Sequence, residues 1–348
     1  MSDEHKQDQN KDQNLYKAYM MKTKSDIHHS PTLSEEEQRE IIRVGSNTAR
    51  NTTVMISLAI LLLILPLMTL ITYMYYGIGG KANKMIDVVG KTIYVTEPNI
   101  SLEEMEIESE IGLFSMNVTF DTFKRIGSED YLAEKVNVYF GLDEPKFPEK
   151  ISFLEQLPPM GYGIDVVKDG QKMYHPDAMV PFNTTEAEDV LNNLPDGTVA
   201  EAYVSFSQLL KPDEIEKMLP KEMDIRWLAV DTGLEAKQLD KEGVPITPIG
   251  YPAQVDTTTW SPFNGREQTN EEVFLNILKL LEKNEQTAEM VSKIKSLEIK
   301  ERRKYVEDKG IQVYGAVVTG PVPELRKLEQ VKNIRAVKVG EVKLWNWK

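Results

Sequence analysis

Val54–Tyr76 reads VMISLAILLLILPLMTLITYMYY, the most apolar stretch of the chain. An α-helix rises 1.5 Å per residue, so a run of this length covers the roughly 30 Å hydrocarbon core of a bilayer. No charged residue falls between Asn51 and Gly80. Tyr73, Tyr75 and Tyr76 gather at one end of the run, where amphipathic rings prefer the headgroup layer. Pro66, in mid-span, frees a backbone carbonyl and predicts a tolerated kink. A cleaved signal peptide does not fit, because about fifty mostly polar residues precede the run and no small-residue cleavage site follows it. A buried helix of a soluble protein is the rival reading, and so long a charge-free run speaks against it. The expectation is a single transmembrane helix over 51–79, marked by Val54, Pro66 and Tyr76, with the lipid bilayer as its surroundings.

The flanks say less about orientation. Arg39, Arg43 and Arg50 precede the span and Lys81, Lys84 and Lys91 follow it, which is close to a tie. A short tail without a signal peptide stays inside while the larger C-terminal part crosses, so the N-terminus is read as cytoplasmic. The chain of 348 residues carries 41 Lys and Arg against 55 Asp and Glu, a net charge of −14. Residues 1–50 hold 8 basic and 9 acidic groups, leaving 33 and 46 for the remainder, so the acidity belongs to the part beyond the span. Such a balance argues against direct nucleic-acid binding, which wants a basic face. The absence of cysteine excludes a disulfide framework, thiolate metal sites and a Cys nucleophile.

The tail, 1–50, opens on SDEHKQDQNKDQN, a run too polar to fold alone, and is expected to be largely disordered. Two patches break its polarity. Leu15, Tyr16, Tyr19 and Met20 recur at helical spacing. Beyond His28-His29-Ser30-Pro31 and Leu33, Ser34 and Glu37 form a capping-box pattern ahead of Ile41, Ile42 and Val44. Both patches are read either as incidental residues of a disordered tail or as a pair of short helices that fold against a cytoplasmic partner.

After the span, residues 80–184 read as a β-rich lobe. Lys91–Val95 (KTIYV) reads as a strand. Phe114, Met116, Val118 and Phe120 alternate with polar residues, as do Val136, Val138 and Phe140, giving the period of half-buried antiparallel strands. Pro145–Gly163 supplies loops. Residues 185–348 change rhythm: strand Val199–Phe206, helix Lys211–Leu219 with Pro212 in its first turn, and strand Asp224–Asp231. A loop of about 35 residues leads to helices Thr269–Glu282, with a Thr269/Glu272 capping box, and Gln286–Val306. Strand Ile311–Thr319, helix Pro321–Val331 and strand Ile334–Lys343 complete the chain. Two βαβ units around a helical insertion match a ferredoxin-like arrangement, four antiparallel strands with helices on one face. The expected class is therefore an α+β ectodomain, strand lobe followed by ferredoxin-like domain, on one transmembrane helix.

Leu228-Ala-Val-Asp231-Thr232-Gly233 carries the Asp-Thr-Gly string of aspartic proteases, in which two carboxylates share a proton. No second half-site is present, and the flanking helices suit βαβ better than an all-β protease. His175 is the one histidine outside the tail, where His5, His28 and His29 lie. It stands without a second His or Cys for zinc and would have to build any Ser/His/Asp site alone. The Gly-Lys pairs at 80–81 and 90–91 lack the spacing of a phosphate loop. Thr319-Gly320-Pro321 is explained by helix capping as well as by anion binding. Neither a cofactor nor a metal is expected, and the chain is not read as an enzyme.

The layout and several C-terminal strings together resemble a known family. Leu194-Pro-Asp-Gly197 leading into Val199–Phe206, Leu209–Leu219, Trp227–Asp231, Phe274–Leu278 and Tyr314-Gly-Ala-Val-Val-Thr-Gly320, followed by Pro323-Glu-Leu325 and Ile334-Arg335-Ala336, look like the sigma-factor-regulator C-terminal domain. Tyr174-His175-Pro176 also looks familial. This domain occurs in membrane-anchored anti-sigma factors of Bacillus-type bacteria. The resemblance covers about 165–345 well, the span and first strands loosely, and the tail not at all. It brings no catalytic residues. It implies a cell-membrane protein whose cytoplasmic tail sequesters an extracytoplasmic-function sigma factor. Its ectodomain, alone or with a small membrane co-regulator, would respond to envelope stress. Within the tail, Leu15, Tyr19, Leu33, Ile41 and Ile42 are the residues expected to meet sigma. Two other readings stay open: an envelope binding or scaffold protein whose tail is merely an anchor, and a membrane-tethered aspartic protease using Asp231.

Overall fold

A computed structural model describes residues 16–24, 33–154, 172–179, 190–240, 243–256 and 261–347. The chain divides into two compact units, Met1–Leu67 and Met68–Lys348. A short helix (α1) covers 16–24 in the first, and a long helix (α2) runs Glu35–Gly77 with Pro66 inside it, its residues from Met68 onward belonging to the second unit. Ser34 caps α2. The Glu37 N–H donates to the Ser34 hydroxyl at 3.3 Å, and the Ser34 N–H donates back to the Glu37 carboxylate at 2.9 Å. This is the predicted capping box, and it satisfies two of the donors a helix start leaves open. The helix it starts does not stop before the apolar run but is continuous with it. Among the described residues, this is the one helix long and apolar enough to cross a bilayer. The expectation of a disordered tail falls mainly on 1–15 and 25–32, outside the described residues; 16–24 and 35–50 are helical.

In the second unit, a 3₁₀ turn at Ile78–Gly80 follows α2, with Gly79 and Gly80 at φ of 68° and 66°. Helix α3, Lys81–Thr96, comes next. The expected strand at Lys91–Val95 is therefore helical. Its β-branched residues favour a strand locally, but Val88, Val89, Ile93 and Thr96 recur at helical spacing and are buried. Burial of that stripe overrides propensity. The Lys91–Asp87 ion pair at 2.7 Å and the Thr92 and Thr96 hydroxyls, bonded to carbonyls four residues back, fit the same turn.

The first sheet is a meander of β1 (Ile100–Ile111), β2 (Ser115–Ile126) and β3 (Glu129–Gly141), with β4 (Glu144–Pro145) and β5 (Glu149–Ser152) both paired to β3. Met116, Val118 and Phe120, with Val136, Val138 and Phe140, are fully buried as their alternation predicts. Phe114 is the exception. It lies in the β1–β2 turn at φ 52°, outside the strand.

The second sheet holds β6 (Thr198–Leu210), β7 (Asp224–Val230), β8 (Ile249–Pro252), β9 (Val313–Pro321) and β10 (Ile334–Leu344). Their order is β10-β6-β9-β7-β8, and every neighbouring pair is antiparallel. A helical turn at 190–193 (α4) precedes β6, and α5 (Pro212–Met218) joins β6 to β7. The long loop after β7 contains β8, so the sheet has five strands where four were expected. β8 lies so close to β7 that a Cβ on Gly250 would meet the Leu228 carbonyl oxygen at 2.0 Å. Helix α6 (Asn270–Glu282) has its predicted Thr269/Glu272 capping box. The single helix expected at Gln286–Val306 is two, α7 (Glu285–Ser292) and α8 (Ile299–Lys309). Lys293 takes a left-handed conformation, φ 60°, and the Ile294 N–H reaches back to the Glu289 carbonyl at 3.0 Å, closing α7. Between β9 and β10, α9 (Val322–Leu325) tightens into a 3₁₀ turn, Arg326–Gln330, that buries Leu325 and Leu328.

The two sheets and α3 share one hydrophobic core. It runs from Tyr76 and Val89 through Phe120 and Val138 to Val204, Phe274 and Val318. Polar clips join the parts. The Trp227 indole donates to the Tyr94 carbonyl at 3.2 Å, and the Gly127 N–H donates to the Thr319 hydroxyl at 2.7 Å. The Asn346 side chain accepts from the Ser128 N–H and donates to the Ile126 carbonyl.

Candidate functional site

The tail presents apolar side chains to solvent. Tyr16, Tyr19 and Met20 lie at i, i+3 and i+4 on α1 and are exposed. Leu33 is exposed just ahead of the Ser34 cap, and Ile41, Ile42 and Val44 are exposed on the second and third turns of α2. Leu15 lies outside the described residues. Isolated helices this short are marginal in water, so a partner that covers such faces gains their burial and stabilises them at once. The first turn of α2 is acidic at Glu35, Glu36 and Glu37, favourable at a helix N-terminus. The backbone N–H of Ser34 holds the Glu37 carboxyl below its usual range. Farther along the same helix, Val54 and Pro66 are exposed, whereas Tyr76 is fully buried and its hydroxyl donates to the Leu142 carbonyl at 2.9 Å.

Asp231, at the end of β7, is enclosed by donors. The Gly233 N–H donates to Oδ1 at 3.0 Å, the Tyr305 hydroxyl donates to Oδ2 at 2.9 Å, and His175 Nε2 stands 3.6 Å from Oδ1. Burial raises the carboxyl pKa, but these three neighbours outweigh it and hold the group below the usual range. Burial and the adjoining carboxylate push the Tyr305 phenol up to about 12. His175 Nδ1 accepts the Asp177 N–H at 3.2 Å, and Arg335 donates to the carbonyls of His175, Pro176 and Ala178. Arg335, with the Ser205 hydroxyl that accepts the Tyr174 N–H at 3.0 Å, thus fastens segment 172–179 to the second sheet and sets His175 beside Asp231. A protease dyad needs two carboxylates sharing a proton; Asp231 is instead an ionised acceptor filled by N–H and O–H donors.

Two buried charge clusters are built from residues that lie far apart in the chain. Arg302 and Glu235 form an ion pair at 2.8 Å with both side chains about 2% exposed. Thr232 donates N–H and O–H to the same carboxylate, and Arg302 also donates to the Leu297 carbonyl. Arg302 lies in the string KERRK, which reads as a solvent-facing helix. Between the sheets, Glu201 takes Lys124 at 3.1 Å, the Asn99 amide at 2.8 Å and the Tyr203 hydroxyl at 3.0 Å. Burial raises its pKa, yet Lys124, Lys172 and Asn99 prevail and hold it low. A lone carboxylate inside the strand VAEAYVSF was the available clue. Among the described residues, no group of three or more His, Cys, Asp or Glu could hold a metal ion.

The sigma factor regulator N-terminal model matches residues 39–131, and the sigma factor regulator C-terminal model matches 191–341. The probable anti-sigma-M factor YhdL of Bacillus subtilis (strain 168) is 32% identical over 320 residues, 91% of this chain and 86% of that protein. The chain belongs to the sigma factor regulator family. No solved structure matches it. In this sigma factor regulator, the N-terminal match begins within α2 and extends to the start of β3. The C-terminal match takes in the second sheet and its helices from α4 to β10. The family is one of anti-sigma regulators rather than enzymes, and its partner is a sigma factor. A family of this kind with one apolar N-terminal helix points to membrane anchoring.

Proposed function

We propose that this regulator is a single-pass cell-membrane protein that holds an extracytoplasmic-function sigma factor at the membrane through its cytoplasmic tail, 1–50. The observation that carries the proposal is the exposed apolar face of the tail helices, with Ile41 and Ile42 on the same continuous helix as the charge-free run. Sigma would bind against Leu15, Tyr19, Leu33, Ile41 and Ile42, kept from RNA polymerase with no contact between regulator and nucleic acid. The name of the relative, a probable anti-sigma-M factor, favours a sigma factor as the partner.

The span is 51–79, with the C-terminal part extracytoplasmic as a β-rich lobe, 80–184, and a C-terminal domain, 185–348. The order β10-β6-β9-β7 supports reading that domain as ferredoxin-like, with β8 added at its edge. Envelope conditions act on this part, directly or through a small membrane co-regulator, and alter the hold on sigma.

The test is the full-length Ile41→Asp/Ile42→Asp variant, in cells carrying a reporter for the cognate sigma factor. Losing the two isoleucine contacts that sigma would cover is expected to weaken sigma binding about tenfold or more and raise reporter output. Unchanged output at normal protein level refutes the assignment.

A further inference from the structure

The end of the first sheet nearest α2 carries three apolar side chains that are each partly open to solvent. Leu113 and Phe114 form the β1–β2 turn, and Leu142 lies in the β3–β4 turn beside them, where its N–H donates to the Phe114 carbonyl at 3.2 Å. They are 46%, 41% and 38% exposed. Phe114 and Leu142 both hold positive φ, 52° and 60°, a conformation bulky residues seldom adopt. The opposite end of the same strand pair, at Gly127-Ser128, is instead fastened to the second sheet through Thr319 and Asn346.

Both tips are fixed to the end of α2. The Phe114 N–H donates to the Thr72 hydroxyl at 3.1 Å, and the Tyr76 hydroxyl donates to the Leu142 carbonyl. Thr72 lies four residues before Tyr76, the end of the apolar run, about 6 Å along the helix at 1.5 Å per residue. The helix around it keeps Leu70, Ile71, Tyr73 and Met74 exposed. Charge begins just past the tips. Asp143, next to Leu142, is paired with Lys81 and accepts the Tyr75 hydroxyl at 2.6 Å. Hydrogen bonds from Lys81 and Tyr75 hold that carboxyl below its usual range. The order along the helix is thus bare apolar surface, apolar tips, tyrosines, then a neutralised ion pair, the sequence of layers at a bilayer boundary.

We infer that the β1–β2 and β3–β4 turns dip into the lipid surface of the bilayer, Leu113, Phe114 and Leu142 entering the interfacial layer on the C-terminal side of the span. The inference rests on the reading of α2 as a membrane span. Lipid that covers the exposed flank at Leu70–Met74 also covers the tips, because the turns touch the helix at that depth. The second unit is then seated on the bilayer by its strand turns as well as by its helix. A signal that moves the first sheet would move the end of α2 with it.

The absence of cysteine makes the test direct. Single variants Leu62→Cys, Leu113→Cys, Leu142→Cys and Glu129→Cys of the full chain are labelled with a nitroxide and reconstituted in phosphatidylethanolamine–phosphatidylglycerol vesicles. Collision rates are read against oxygen, which partitions into lipid, and a water-soluble nickel chelate. Labels at Leu62, Leu113 and Leu142 are expected to show an oxygen-to-nickel ratio several-fold above that at Glu129, which lies at the far end of β3. An oxygen-favoured label at Leu62 with a nickel-favoured label at either tip overturns the inference and leaves the span intact. A nickel-favoured label at Leu62 overturns the span and the inference together.

Discussion

Glu201 is an ionised carboxylate, fully enclosed, and the one charged residue of its strand. Removing one partner of a buried pair strands the other charge, so Glu201→Gln is expected to destabilise the second unit by about 3–5 kcal/mol. Glu201→Leu combined with Lys124→Met should recover much of that loss, and denaturant midpoints of the three proteins measure it. Asp231 makes a milder case. Asp231→Asn replaces an acceptor by a partial donor facing the Gly233 N–H and the Tyr305 hydroxyl, at a cost of about 1–3 kcal/mol. The carboxyl pKa is lowered on folding, so its contribution is complete above about pH 4 and fades as the pH falls through the folded value. The deficit of the variant should therefore shrink on acidification; a deficit that grows would show that the carboxylate is not held ionised. Asp231 drew notice in the sequence for the wrong reason. Three letters suggested a protease, but its role follows from Tyr305, 74 residues away, which no local pattern connects to it. Arg302 was invisible for a related cause: whether a guanidinium faces water or a buried carboxylate depends on what packs over the helix.

At the scale of elements, the strands and helices whose periodicity agreed with their burial were legible, among them β2, β3 and α6, and β6 was legible as a short run closed on both faces. α3 was not, because its β-branched residues and its helical apolar stripe point to different structures and only tertiary burial decides between them. The α7–α8 break was hidden because 292–298 holds neither glycine nor proline, and a left-handed Lys293 stands where a glycine would have signalled the stop. The junction between α2 and α3 offers a clean test of backbone cost. Gly79 and Gly80 hold positive φ, Gly77 is helical at φ −77°, and a Cβ on any of them would meet open space. Gly79→Ala and Gly80→Ala should each cost about 1 kcal/mol, while Gly77→Ala should be neutral or slightly stabilising. Thermal melts of the three variants compare them, and equal shifts would mean that the turn is not under backbone constraint. Thr269→Ala, which removes the cap of α6, should cost about 1 kcal/mol.

For the whole molecule, the charge-free run and the C-terminal strings were enough to find the family, because membrane thickness and familial motifs are both written locally. How the β-rich lobe and the C-terminal domain share a core was not, since every contact between them joins residues far apart in the chain. The Trp227–Tyr94 bond spans 133 residues and the Gly127–Thr319 bond 192. α3 fills the space between them, its Val88, Val89 and Ile93 buried in the same core as Phe274 and Val318. Neither sheet can lose its neighbour without exposing that apolar surface to water, so residues 68–348 should unfold as one cooperative unit. Two probes report on its two ends: intrinsic fluorescence, which among the described residues comes from Trp227, Trp345 and Trp347 of the C-terminal part, and a dye at Glu129→Cys in the β-rich lobe. In detergent micelles their denaturant transitions should coincide in midpoint and slope. Midpoints that separate would mean that the lobe opens alone, and a signal could then reach α2 by melting the first sheet; coincident ones require that it arrive as a rigid displacement of the entire unit.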